Sequence, residues 1–397
     1  MTMEMKESTA MKIRRCILGG LWILALITIS FYGGAVSYGF FFGVTLIPVV
    51  SLIYLICVYA KFKVYQETQK RNMVCGQPTP YLFVLQNEDY FTYTSISVRM
   101  HSNFSYVEDS FENVEYELLP GDKFVCETKL VCKYRGEYEI GVKEVWLTDF
   151  FRLFRFRYRV SGQIKAVVNP KIVKLPELKS VADLPMLLQR DSMGSTEQDV
   201  LVRDYVEGDS LKQVHWKISA REQKLKVRVM TGKENQSLVI FCDTRRYSKV
   251  MGEYLPLENK LLEVFLAVGH YFAGMERAFT AYYGQNGVVE RQVTGSLAFS
   301  DFYHQVSAMA FDDSENVQDL LEQVTGRGVL WGSSLVFCVL HELSPEIMNI
   351  TDRLAASGVI VVLYVIADQV PEDYVKQGSA RRRIVVIPVE AEVEGKL

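Results

Sequence analysis

The chain has 397 residues, 49% of them hydrophobic and 23% charged, with a formal net charge of −3. That length is enough for two or three domains with real cores, and so balanced a charge argues against a nucleic-acid partner. Seven cysteines, an odd number without a CxxC pair, suit free thiols in a reducing compartment, and five scattered histidines form no zinc-type spacing, so no cofactor is expected.

Residues 1–15 form a basic N-terminal tail ending in Lys12, Arg14 and Arg15. From Cys16 to Ala60 no charged residue occurs. A bilayer core needs roughly 20 apolar residues per helix, so residues 16–60 predict a transmembrane hairpin with helices over 17–32 and 40–59. Gly33, Gly34, Ser37 and Gly39 supply the turn, and Pro48 lies inside the second helix. Basic residues flank both ends of the hairpin (Lys61 and Lys63 on the far side) and none lies in the turn. The positive-inside rule then predicts a multi-pass protein of the inner or plasma membrane with both termini in the cytoplasm. A cleaved signal peptide also begins with basic residues before an apolar run, but a second long apolar run follows here at once.

Residues 61–80 read as a polar linker ending in Pro78 and Pro80. From 81 to 170 the pattern has period two: Phe124, Cys126, Thr128, Leu130 and Cys132 alternate with Val125, Glu127, Lys129 and Val131. With turn signals at Pro120-Gly121-Asp122 and Arg135-Gly136, this predicts an antiparallel, sandwich-like β domain. Arg152, Arg155, Arg157 and Arg159 are interleaved with Leu153, Phe154, Phe156 and Tyr158, and the last three arginines share one face of a strand. A solvated basic face and a contact with anionic lipid beside the anchor are both open readings.

Residues 171–236 read as a connector. From 237 to 397 strands alternate with helices: strands at 238–242, 278–283, 287–293, 335–340, 359–366 and 383–389, and helices at 257–275, 300–310, 317–325 and 345–357. The nearly continuous Val/Ile/Leu run at 359–366 marks a strand buried on both faces. An α/β, Rossmann-like domain is expected, with any ligand at the C-terminal ends of its strands.

The densest group of chemistry-bearing residues is Arg203-Asp204-Tyr205, then Gly208-Asp209, His215-Trp216-Lys217, Ser219-Ala220-Arg221, and Arg228. The arginines suit forked bonds to Asp204, Glu207 or Asp209, and Trp216 suits an apolar plug. A docking surface and a structural clasp between domains both fit these residue types. The series resembles the signature of the bacterial domain-of-unknown-function 58 family: Arg-acid-Tyr, two residues, Gly-Asp, then Trp-basic, then Ser/Thr-Ala-Arg/Lys. Residues 146–154 resemble that family's Asp-Pro-Phe-Gly-Leu-Phe segment, with Phe150 and Arg152 in place of its Pro and Gly.

The resemblance implies a von Willebrand factor A-like C-terminal domain. In such domains the first strand ends in Asp-x-Ser-x-Ser, which holds a divalent metal. Here Asp243 keeps the first position, but Arg245 and Tyr247 stand at the serines, and His341-Glu342 follows the 335–340 strand. An arginine beside the ion would repel it, so Asp243 is expected to be a degenerate metal position. The family resemblance also implies a MoxR-type AAA+ ATPase as protein partner. No nucleophile elbow, P-loop or dinucleotide fingerprint occurs. The expected function is a membrane-tethered scaffold or adaptor rather than an enzyme. The alternatives are a cryptic metal-dependent hydrolase using Asp204, Asp209, His215 and Asp243, and a lipid-interacting structural protein.

Overall fold

The computed structural model describes residues 2–108, 114–160, 162–180, 200–204, 219–221, 223–230, 237–313, 317–326, 330, 333–368, 370–371 and 381–397. The chain divides into two compact units, Met1–Asn169 and Pro170–Leu397.

The first unit opens with two helices, Thr2–Tyr32 and Ala35–Lys61, both long and apolar enough to cross a membrane. Only Gly33 and Gly34 break the path, at φ of 58° and 92°, a conformation that glycine adopts without a Cβ penalty. Ser37 and Gly39, expected in the turn, lie inside the second helix. Pro48 is accommodated within it.

Eleven strands follow among the described residues: β1 (Lys63–Thr68), β2 (Asn72–Val74), β3 (Pro78–Gln86), β4 (Tyr93–Met100), β5 (Ser105–Val107), β6 (Glu115–Leu118), β7 (Lys123–Cys132), β8 (Gly136–Ile140), β9 (Val142–Thr148), β10 (Arg155–Arg159) and β11 (Ile164–Asn169). They form sheets ordered β1-β3-β7-β5, β10-β9-β4-β6 and β2-β11-β8. One core joins Phe83, Leu85, Cys126 and Leu130 of the first sheet to Ile96, Val98, Val145 and Leu147 of the second, as in a sandwich. The β2–β11 pair is parallel, whereas all other pairings of this unit are antiparallel.

The expected linker at 61–80 is instead largely strand. In β1 the half-buried positions are Val64, Gln66 and Thr68, two of them polar, which hid the alternation. Gln66 Oε1 accepts from the Tyr81 hydroxyl at 2.8 Å and from Val142 N at 2.9 Å. Gly141 (φ 81°) lets these groups close up: a Cβ there would lie 2.5 Å from Gln66 Oε1.

The second unit is built on a sheet ordered β16-β15-β14-β17-β18-β19. Its strands are β14 (Ser237–Cys242), β15 (Phe279–Gly284), β16 (Val288–Val293), β17 (Ser333–Leu340), β18 (Ile360–Ile366) and β19 (Arg382–Ile387). All neighbours are parallel except the antiparallel edge strand β16. In β18 every residue is buried. Ile360, Val362, Tyr364 and Ile366 enter one core with helices Met251–Gly274 and Gly295–Ser307, while Val361, Leu363 and Val365 enter a second with helices Val317–Gly326 and Pro345–Ala356. The sheet is therefore covered on both faces, as its apolar run requires.

Two helices begin earlier than the expected 257 and 300, at Met251 and Gly295. Pro256 sits early enough in its helix to forfeit only one bond, to the carbonyl of exposed Gly252. Residues 171–180, expected as connector, pack into the second unit. Val173 and Leu178 enter its core, and Ser180 Oγ lies 2.5 Å from the Tyr364 hydroxyl.

Candidate functional site

In the parallel sheet the chain leaves β14 for β15 on one side and leaves β17 for β18 on the other. Loops that depart in opposite directions open a crevice at the C-terminal ends of β14 and β17, the place where open α/β sheets bind ligands. Asp243 follows β14 immediately, and His341 follows β17.

Asp243 is fully buried. Its Oδ1 accepts from Arg245 N at 2.9 Å, and its Oδ2 from the Tyr247 hydroxyl at 2.5 Å and His341 N at 3.3 Å. Its own N–H donates to Val339 O at 2.9 Å, so the residue ties the two central strands together. Burial pushes the Asp243 carboxyl up to about 6, and the three donors oppose that shift without cancelling it. Tyr247 is held protonated by burial and by the adjoining carboxylate. Its ring meets that of His341 edge-on at 4.2 Å, and His341 Nδ1 lies 3.0 Å from Ile366 O at the end of β18.

The rest of the loop is equally constrained. Thr244 Oγ1 accepts from Gly284 N at 2.9 Å, Arg246 Nε pairs with buried Glu258 at 2.7 Å, and Ser248 donates to Glu253 at 2.6 Å. At the mouth, Arg245 lies over the Tyr247 ring at 5.2 Å and faces Glu342 at 3.9 Å, both charges partly exposed. Among the described residues no group of three His, Cys, Asp or Glu side chains could hold a metal ion. The donors around Asp243 do not fit a divalent cation either. Tyr247 and two backbone N–H groups occupy the directions an ion would use, and Arg245 supplies positive charge beside them.

The expected signature residues lie partly outside the described residues: Tyr205, Gly208, Asp209, His215, Trp216 and Lys217. Arg203 and Asp204 lie on β12 (Val200–Asp204), which pairs antiparallel with β13 (Lys226–Met230), where Arg228 lies. The register sets Asp204 opposite Lys226 and Arg228 opposite Val202. Ser219 is buried, and its Oγ accepts from Lys226 N at 2.9 Å, which fixes the start of β13. Ala220 and Arg221 are exposed beside it. Of the four residues proposed for a hydrolase, Asp209 and His215 fall outside the described residues, and Asp243 is fully enclosed.

In the first unit, Arg155, Arg157 and Arg159 do share a face, opposite Thr148, Trp146 and Glu144 of β9. The face is not simply solvated. Buried Glu144 pairs with Arg157 and, at 3.1 Å, with Arg99, and Arg155 lies over the Trp146 ring at 4.6 Å.

These features describe a chain with two membrane-length helices, a β-rich unit and an α/β unit whose strand-end carboxylate is internally satisfied. Residues 201–278, from β12 through the helix Met251–Gly274, match the family described as "Protein of unknown function DUF58", and the chain resembles that family. No curated protein matches. Among solved structures, a GH20 exo β-N-acetylglucosaminidase from Vibrio harveyi is 8% identical, with 82% of this chain and 78% of that one covered, at a TM-score of 0.19. A β-glucuronidase from Bacteroides uniformis is 9% identical, with 76% and 33% covered, at 0.15. No shared fold is inferred at those scores.

Proposed function

We propose that this chain is a membrane-tethered scaffold or adaptor with both termini in the cytoplasm. Its second unit, taken as a von Willebrand factor A-like domain, docks another protein at the strand-end crevice. The observation that carries this reading is the state of Asp243: it is buried, bonded to three internal donors, and roofed by Arg245, Tyr247 and His341. A carboxylate so enclosed has no path to substrate or metal, whereas the Arg245–Glu342 pair above it is presented to a partner. Arg245 supplies at this position the positive charge that a metal gives in related domains, which suits an acidic group on the partner.

The family resemblance makes a MoxR-type AAA+ ATPase the first partner to seek. Crosslinking in native membranes followed by mass spectrometry should recover such an ATPase with the wild-type chain, and Arg245→Glu should abolish the crosslink. Recovery of no ATPase, or equal recovery with Arg245→Glu, would overturn this reading.

A further inference from the structure

The β sheets of the first unit sit directly against the ends of its two helices. Tyr54, Leu55 and Val58 belong to the β core. The Tyr54 hydroxyl donates to Thr92 O at 2.6 Å, and its ring lies 4.1 Å from that of Phe150. From the other helix, Arg15 Nε donates to Leu153 O at 2.7 Å. The hydrocarbon-spanning parts are therefore residues 16–32 and 35–53, ~25 and ~28 Å of helix at 1.5 Å per residue, close to the ~30 Å bilayer core.

Two loops flank this boundary, and both hold large aromatics out of the fold. Tyr90 and Phe91 are 92% and 50% exposed, Phe150 and Phe151 54% and 53%. Neither loop is slack. Asn87 Nδ2 donates to the carbonyls of Phe91, Leu118 and Leu119, and Asp89 pairs with Lys61 at 2.7 Å. Asp149 accepts from Phe151 N and Phe154 N. Exposed aromatic rings at the end of a membrane helix suit the headgroup layer.

At the same level a pocket opens between the first helix and the outer face of the β10-β9-β4-β6 sheet, lined by Arg14, Arg152, Arg155, Ser95, Ser97 and Glu115. Three guanidinium groups meet a single carboxylate there, and Glu115 is shared by Arg152 at 2.6 Å and Ser95 at 3.4 Å. Arg155 is braced on Trp146. Among the described residues no hydrogen bond or ion pair engages Arg14. Forked donors with hydroxyls beside them match a phosphate oxygen pair.

We propose that this pocket binds the phosphodiester headgroup of an anionic phospholipid of the surrounding leaflet, seating the β unit flush on the membrane. The proposal rests on the membrane tethering proposed above, and the two are separable by experiment. Retention of the chain in membranes under alkaline carbonate extraction tests the tether alone.

For the lipid site, the full chain is purified in detergent and offered phosphatidylglycerol or phosphatidylcholine, with bound lipid read by native mass spectrometry. Phosphatidylglycerol should be retained selectively, and Arg14→Gln with Arg155→Gln should weaken it about 30-fold. Arg159→Gln, on the same strand but outside the pocket, should leave selectivity intact and controls for folding and diffuse charge. Equal retention of both lipids, an undiminished preference in the double variant, an equal loss in Arg159→Gln, or displacement by millimolar inorganic phosphate would each overturn the proposal.

Discussion

The Tyr247 hydroxyl donates to the buried Asp243 carboxylate at 2.5 Å across a turn that Arg245 N closes onto the other carboxylate oxygen. The pair makes the crevice between β14 and β17 a closed polar knot whose charge is costly to hold.

That cost has a sign. A carboxyl ordinarily near 3.8 stands at about 6 in the folded chain, so between those values the folded state binds more protons than the unfolded one. Stability of the second unit should fall as pH rises from 4 to 6, by about 3 kcal/mol, and stay at the lower level above pH 6. Urea midpoints across pH 4–7 check this. Asp243→Asn should flatten the profile, because the group no longer titrates.

Tyr247→Phe removes the shortest bond to the carboxylate and leaves the charge enclosed. The expected loss at pH 7 is about 2 kcal/mol, typical of a hydrogen bond to a charged group. The pH-dependent decline should also extend to higher pH, with its onset unmoved, since only the folded, ionised form loses a stabilising donor. An unchanged profile would show that the hydroxyl is not what holds the carboxylate.

Asp149 and Arg152 form a second testable pair. Asp149 Oδ1 and Oδ2 accept from Phe154 N at 2.6 Å and Phe151 N at 3.2 Å, while Arg152 N donates to Asp149 O at 2.9 Å. Asp149→Ala should destabilise the first unit by about 2–3 kcal/mol, and Asp149→Asn by roughly half as much. Arg152 takes φ 52°, where the resembled family has glycine. Arg152→Gly should be neutral or stabilising by up to about 1 kcal/mol, because relief of left-handed strain offsets the exposed pair with Glu115. Thermal unfolding of the detergent-solubilised chain ranks the three variants.

Gly141→Ala should cost more than its size suggests. The added methyl would meet Gln66 Oε1 at 2.5 Å and the Tyr81 hydroxyl at 2.6 Å, at a φ of 81° that already disfavours alanine. Separating those groups leaves Val142 N without its acceptor, a loss of about 2–4 kcal/mol. Hydrogen exchange at Val142 should rise with it.

Much of the architecture is legible from local pattern. The β7 alternation emerges as a strand with Cys126, Thr128 and Leu130 inward, and the Val/Ile/Leu run of β18 emerges buried on both faces. The segment 61–80 was opaque because its inward positions in β1 include the polar Gln66 and Thr68, and the partners that satisfy Gln66, Tyr81 and Val142, lie on other strands. The site was half legible. Asp243 at a strand end and Arg245 beside it are visible as a departure from a metal motif, and an Asp followed four residues later by Tyr was the available signal for their bond.

By itself the sequence determined two uncharged apolar stretches long enough to span a bilayer, a period-two region and a strand–helix alternation. These follow from residue spacing along one element, which burial reads directly. Only the tertiary structure decided that His341 N reaches Asp243 across 98 positions, that Arg152 adopts a glycine conformation, and that Tyr54 meets Phe150 and Arg15 meets Leu153 beside the helices. Such contacts depend on which strands become neighbours and which loops share a boundary, and packing of the whole unit sets both.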